Sequence, residues 1–337
     1  MGTLPAGKLP QEILDRLLKR FSCDDPRVVL GPQVGEDAAV IDMGDRLLVA
    51  KTDPITFAAE KIGHYLVHIN ANDIACMGAT PKWLLVTCLL PVGKTDVRSL
   101  EALFEDLAEA CDELGITVCG GHTEVTPGLD RVILAGQLLG EVSRDLLVDK
   151  SRIRPGDHIL LTKGIAIEGT CVLATERGDL LKDKVDNSIL DNSRSLLKEP
   201  GISVVKDAKV ALASAGRDVH GMHDPTEGGL WQGVRELATR AGMGVRIMRD
   251  QIPVLPETRI LCEFFKLNPM GLLASGALLL AVSPSCESKL IKDLADAEIQ
   301  TARIGDILPE NEGLKWVCGD KELPIPLLPG DELIKTF

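Results

Sequence analysis

Aromatic side chains are almost missing from this chain: six Phe, three Trp and one Tyr among 337 residues. Apolar residues still make up 45%, so the cores must rest on Leu, Val, Ile and Ala. At this length two domains are a better expectation than one. Basic tracts are missing too, and the formal charge is −13. Sequence-independent nucleic-acid binding depends on neutralising phosphates with Lys and Arg, so that class is set aside, and the acidity speaks to solubility rather than to fold. No apolar run reaches membrane-spanning length. The opening residues lack the basic-then-apolar order of a signal peptide, and the expected location is the cytoplasm. The nine cysteines include no C-x-x-C pair, which argues against a disulfide framework or a zinc site built on them. Buried thiols in a reducing compartment are the expectation. Cys76, Cys88, Cys171 and Cys262 have apolar surroundings, and Cys119 is assigned to packing as well. There is no internal repeat and no low-complexity stretch.

What the chain does have is polar residues where a buried helix should have none. Asn70 to Pro81 reads Asn-Ala-Asn-Asp-Ile-Ala-Cys-Met-Gly-Ala-Thr-Pro, an apolar-faced helix pattern that breaks at Gly78 and Pro81. Asn and Asp compete with the backbone for hydrogen bonds and are disfavoured inside helices. Three of them in four positions point to ligands; the alternative is a helix face turned to solvent. Further acidic motifs sit beside glycine or at strand ends: Gly35-Glu36-Asp37-Ala38, Lys51-Thr52-Asp53-Pro54, Gly120-Gly121-His122-Thr123-Glu124 and Asp224-Pro225-Thr226-Glu227-Gly228-Gly229. Spread in this way they suit a magnesium–phosphate site. Mg²⁺ prefers hard oxygen ligands shared between carboxylates and phosphates, and glycine lets backbone N–H groups approach phosphate closely.

The periodicities predict an amphipathic helix over residues 11–21, then strands over 28–30, 38–41 and 47–51. A helix over 64–77 follows, a strand over 83–90, and a long amphipathic helix over 97–114 that ends at Gly115. Strands over 117–119 and 131–140 complete an α+β half with helices on one face of a sheet. Arg154-Pro155-Gly156-Asp157 is a turn signal and marks the junction, giving domains 1–150 and 151–337. The second half should contain strands near 158–162, 244–247, 276–282, 302–307 and 314–317. Its helices should start near Glu168 and lie near 203–215, 230–241 and 286–297.

These motifs, in this order over nearly the whole chain, resemble the PurM-like (AIR synthase-related) superfamily. Within it they are most similar to the hydrogenase maturation factor HypE. Ile252-Pro253-Val254 and Ala274-Ser275-Gly276 fit as well. The resemblance implies a two-domain α+β fold, with an N-terminal sheet that forms a dimer interface and a C-terminal α/β sandwich. It implies ATP and Mg²⁺ as cofactors, a homodimer, and an ATP-dependent ligase, dehydratase or kinase type of chemistry. The partner is then ATP with an unidentified small-molecule or protein acceptor, with neither nucleic acid nor membrane involved.

Residue by residue, the resemblance gives Asp37, Asp53 and Asp73 to the metal, with turn and cap duty as the alternative. Gly35, Asn70, Gly121, His122 and Thr123 go to the nucleotide. His122 departs from the acidic residue of the kinase relatives, and imidazole is a poor Mg²⁺ ligand. Lys163, in a glycine-containing turn before a helix, is a candidate for phosphate or a plain exposed lysine. Asp224 is a catalytic candidate or a helix cap, while Glu227 stands where HypE usually has Arg. Lys8 is a further catalytic candidate, because the selenophosphate relatives use a lysine in this region. His220 and His223 are expected to be structural. HypE carries an acceptor cysteine on its C-terminal tail. Here the residues from Asp331 to Phe337 contain none and Cys318 is the last, so ATP chemistry is expected without cyanide-ligand synthesis. A thiamine-monophosphate-like kinase and a non-catalytic nucleotide-binding regulator are the alternatives.

Overall fold

The computed structural model describes residues 7–21, 23–58 and 60–336. The chain divides into two compact units. The first holds 25–31 and 37–147; the second holds the described residues up to Asp24, 32–36, and those from Val148 onward. One crossing falls between Leu147 and Val148. Residues 7–24 and 32–36 join the later unit because polar bonds hold them there. Lys8 N–H donates to Glu227 Oε2 at 3.0 Å, Lys150 Nζ donates to the Gly35 carbonyl at 2.8 Å, and Glu36 pairs with Arg240.

In chain order the elements begin with helix α1 (Gln11–Leu18), which stops short of the expected residue 21. The first unit then runs β1 (Val28–Leu30), β2 (Ala39–Asp42), β3 (Leu47–Ile55), α2 (Ile62–Cys76), β4 (Thr80–Pro91), α3 (Val97–Leu114), β5 (Thr117–Thr126) and β6 (Ile133–Val142). Its sheet has the order β1-β2-β3-β6-β4-β5. All neighbours are antiparallel except β4 and β5. On β6 every second residue from Leu134 to Val142 is buried, the period of a strand with one covered face. That face carries α2, and the row includes Gly136 and Gly140, where a Cβ would run into Asn70 and Ile74 of α2. Helix α2 is buried nearly all round, because the sheet takes one side and α3 another. Asp96 and Ser99 form a reciprocal N-terminal cap on α3, and Gly115 ends it in the left-handed region at φ 66°.

The second unit continues with β7 (His158–Thr162), α4 (Ile167–Glu176), α5 (Gly178–Leu181), α6 (Asn187–Ser195), α7 (Val205–Ala215), β8 (Val219–His223), α8 (Gly229–Ala241), β9 (Gly244–Met248), α9 (Pro256–Phe265), β10 (Leu279–Val282), α10 (Glu287–Asp296), β11 (Thr301–Leu308), β12 (Leu314–Cys318) and β13 (Lys321–Pro324). The sheet order is β13-β12-β9-β11-β7-β10-β8, antiparallel except between β9 and β12. Strand β10 is buried at every residue, as in a sheet covered on both faces. One core joins Ile159, Leu161, Leu279 and Ile304 of the strands to Leu230, Val234 and Leu237 of α8. The other side carries α7 and α10. This is the expected α/β sandwich. Helices α5, α6 and α9 and strands β8 and β13 lie outside the expected set, and the strand expected from 276 begins at Leu279. No helix among the described residues is long and apolar enough to cross a membrane.

Candidate active site

Two groups of polar side chains converge, one in each unit. In the first unit, Lys51 and Asp53 alternate along β3 and so share the face covered by α2. Lys51 Nζ lies 3.2 Å from Asp53 Oδ2 and 3.2 Å from Asp73 Oδ1. The ammonium is the cation between two carboxylates that would otherwise repel. Asn70 fixes this arrangement. Its Oδ1 accepts the Asp53 N–H at 2.9 Å, and its Nδ2 donates to the carbonyls of Leu66 at 2.8 Å and Asp53 at 3.3 Å. Asn70 is therefore a positioning residue that ties helix to strand, and Asn70, Asn72 and Asp73 are buried rather than turned to solvent. Asp37 is buried two residues ahead of Ala39. Ala39 pairs with Ala50, so Asp37 lies toward the same end of the β2–β3 ladder as Asp53.

The Gly-Gly-His-Thr motif lies elsewhere. The strand expected to stop at residue 119 runs on to Thr126 because it pairs in parallel with β4 along its length. Gly121 lies in one row with Val86, Gly136 and Asp53, three strand spacings or about 14 Å across the sheet from Asp53. Gly121 is glycine because a Cβ would meet the Val86 nitrogen at 2.9 Å. Thr123, two residues on, shares its face. His122 points to the opposite face, is exposed, and bonds Glu124 Oε2 at 2.9 Å through Nε2. Within one chain His122 is thus not brought to the acid pair. Cys119 is exposed rather than packed.

In the second unit the loop after β8 receives Lys8. Its Nζ donates to Thr226 Oγ1 at 3.0 Å and lies 3.5 Å from Glu236 Oε1. Glu236 Oε2 also meets His223 Nε2 at 3.0 Å. Burial alone would raise the Glu236 carboxyl, but Lys8 and His223 outweigh it and hold the group at about 2. Asp224 follows His223 directly and is buried. It does not cap α8: the N–H of Gly228 donates to Asp331 Oδ2 at 2.7 Å. A cavity of about 420 Å³ opens beside Lys8, with Glu227, Gln232, Arg235, Leu328 and Asp331 among its walls.

Lys163 is neither exposed nor open to an anion. Its Nζ lies 3.2 Å from Asp207 Oδ2 and donates to the Ser203 carbonyl at 2.5 Å, and burial lowers its pKa. The phosphate role expected of it meets a charge already compensated. Gly35, at φ +82°, packs where a Cβ would meet the Glu236 carbonyl at 2.6 Å, so its glycine serves a close backbone approach. His220 is structural, with Nδ1 at 2.8 Å from Asp157 Oδ2. Two residues escaped the sequence. Lys51 was legible as a lysine two places before Asp53 on a strand. Glu168, wholly buried in the first turn of α4 and pushed up to about 8 by that burial, had no signal beyond its place in an apolar run.

AIR synthase related protein, N-terminal domain, matches residues 35–142, and AIR synthase related protein, C-terminal domain, matches 154–317. The chain belongs to the AIR synthase-related family. In sequence it is similar to the carbamoyl dehydratase HypE of Azotobacter vinelandii, 28% identical over 92% of this chain and 86% of that one. In structure it is similar to HypE in a HypE–HypF complex, at TM-score 0.73 and 20% identity over 88% of this chain and 94% of that one. HypE in complex with ATP gives 0.69 at 24% identity over 93% and 92%. ThiL complexed with AMPPCP and TMP gives 0.70 at 18% identity over 92% and 94%. The PurM-like fold read from the motifs is therefore the fold of this protein.

Proposed function

We propose that this chain is an ATP- and Mg²⁺-dependent enzyme of the HypE type, which activates a small acyl or amide oxygen by phosphoryl transfer. The observation that carries this reading is the convergence of Asp53 and Asp73 on one ammonium, each at 3.2 Å from Lys51 Nζ. Two carboxylates already holding a cation are a hard-oxygen donor pair that suits Mg²⁺. Asp53 and Asp73 would hold the ion, with Asp37 toward the same end of the strands as a third carboxylate. When bound, the ion supplies charge neutralisation to the phosphates. Lys51 then offers its ammonium to phosphate oxygens, and Asn70 keeps the strand in place. The acceptor oxygen bonds to the terminal phosphorus as the bond to the bridging oxygen breaks, and ADP leaves. Asp224 and Lys8 are the catalytic candidates of the second unit. Relatives named carbamoyl dehydratase, and a HypE solved with ATP, support this reading. The HypE–HypF complex supports a protein partner.

The cavity beside Lys8 and Arg235 also suits a small anionic acceptor, which keeps a kinase reading open beside the ThiL likeness. Product analysis separates the two: a phosphorylated small molecule, or phosphate released with a dehydrated product. A homodimer is part of the proposal. Leu48, Leu85 and Leu139 are only partly buried on the outer face of the first sheet, and β5 is an exposed edge. Calorimetry tests the central claim. Asp73→Asn should weaken Mg-dependent ATP binding by about tenfold or more, roughly 1.4 kcal/mol. Unchanged affinity and unchanged magnesium dependence would remove Asp73 from the site.

A further inference from the structure

Helix α2 has a second polar face, about half a turn round from Asn70 and Asp73 at 100° per residue. His64 and His68, one turn apart, lie side by side there with ring centroids 4.0 Å apart. Both are buried against α3. Glu113 of α3 comes up to them. Its Oε2 is 3.2 Å from His68 Nε2 and 4.0 Å from His64 Nδ1. The three ligand atoms all lie within 4.8 Å of one another. A tetrahedral ion with bonds of 2.0–2.1 Å sets its ligands about 3.4 Å apart; the His68–Glu113 edge of 3.2 Å is already at that spacing, and the 4.0 Å His64–Glu113 edge closes by about 0.6 Å when an ion binds.

The surroundings favour a cation. Asp112 and Glu113 occupy the last turn of α3, which carries no basic residue, and the partial negative charge of a helix C-terminus adds to theirs. The two helices are held in register one heptad earlier. Asp106 Oδ2 accepts the His64 N–H at 3.1 Å, and Asp106 Oδ1 lies 3.3 Å from Lys61 Nζ. At Gly63 a Cβ would meet the Leu107 nitrogen at 2.7 Å, so the helices touch backbone to backbone. The histidines therefore sit on a fixed frame. Glu113 is 43% exposed, so the cluster is open to water at its carboxylate. Two imidazoles and one carboxylate select a borderline ion of the zinc class.

We propose that His64, His68 and Glu113 form a divalent transition-metal site that clamps α2 to α3, separate from the all-oxygen Asp53–Asp73 pair on the other side of the helix. The test uses the full chain, stripped of metal and titrated with ZnCl₂ under excess MgCl₂. Bound zinc is counted by atomic emission and thermal unfolding is followed in parallel. The expected result is one saturable Zn²⁺ per chain and a higher melting temperature. Glu113→Gln and His68→Gln should each weaken binding by about tenfold or more, in line with the loss of one ligand. His122→Gln, which removes the exposed His122–Glu124 pair on β5, should leave zinc stoichiometry and affinity as they are. Glu113→Gln is at the surface and decides the matter if the buried histidine variant fails to fold. No stoichiometric zinc, full affinity in Glu113→Gln, competition by Mg²⁺, or loss of binding on His122→Gln would each overturn the proposal.

Discussion

Glu168→Gln should flatten the fall of stability with pH up to about pH 8. Glu168 sits in the first turn of α4, fully enclosed, with its N–H on the Ser275 carbonyl at 3.3 Å. Burial raises its pKa from the ordinary 4.5 to about 8, Asp331 and Glu227 add like charge, and hydrogen bonds from Ser275 oppose the rise. The folded chain thus keeps a proton that the unfolded chain gives up above 4.5. Its contribution to stability is complete below that value, falls as pH rises toward 8, and is flat beyond. Between pH 6 and pH 9 the loss is about 2–3 kcal/mol on this linkage. For a unit of roughly 200 residues that is a fall of about 5–10 °C in melting temperature. Glutamine keeps the shape and carries no titrating proton, so the variant should lose that much less over the same interval. The assay is thermal unfolding of both proteins at pH 6 and pH 9 in matched salt. Parallel melting temperatures across the range would show that Glu168 is ionised in the folded chain and refute the argument.

Gly136→Ala places a Cβ 2.9 Å from Asn70 Nδ2; it should cost about 1–3 kcal/mol by overpacking and weaken ATP binding with it, read by denaturant unfolding and calorimetry. Asp331 accepts N–H groups from Gly228, Leu273 and Leu333 at 2.7, 3.2 and 2.8 Å. Asp331→Ala should therefore destabilise by about 2–4 kcal/mol and Asp331→Asn by clearly less, and equal losses in denaturant midpoint would count against these bonds. Light scattering should give twice the 36.2 kDa chain mass at micromolar concentration, with a monomer refuting the dimer. Cys318 is half-buried with Arg249 Nη1 at 3.8 Å, so Cys318→Ala should leave phosphate release within about tenfold, or 1.4 kcal/mol of barrier. A larger fall with folding intact would restore a thiol mechanism.

Much of this protein was legible from order and period alone. The helix over 97–114 could be read to the residue because its amphipathic period and its terminal glycine are local signals. The motifs could be matched to the family as an ordered set because their spacing along the chain is a property of sequence. The burial of three polar residues in α2 could be read as well, since an apolar helix does not carry Asn and Asp at random. What each of those residues touches was decided by tertiary structure. Asn70 serves the backbone of Asp53 and the cation between the acids is Lys51, because pairing across β3, β6 and α2 sets those distances. Lys163 is spent on Asp207, forty-four residues away in sequence. His122 faces away from the acid pair because the strand period assigns alternate residues to opposite faces and parallel pairing with β4 extends β5 through the motif. Glu168 became a buried acid only when the 273–275 turn closed over the start of α4. Composition and periodicity follow from neighbours in the chain, whereas burial, ion pairing and proton affinity follow from neighbours in space.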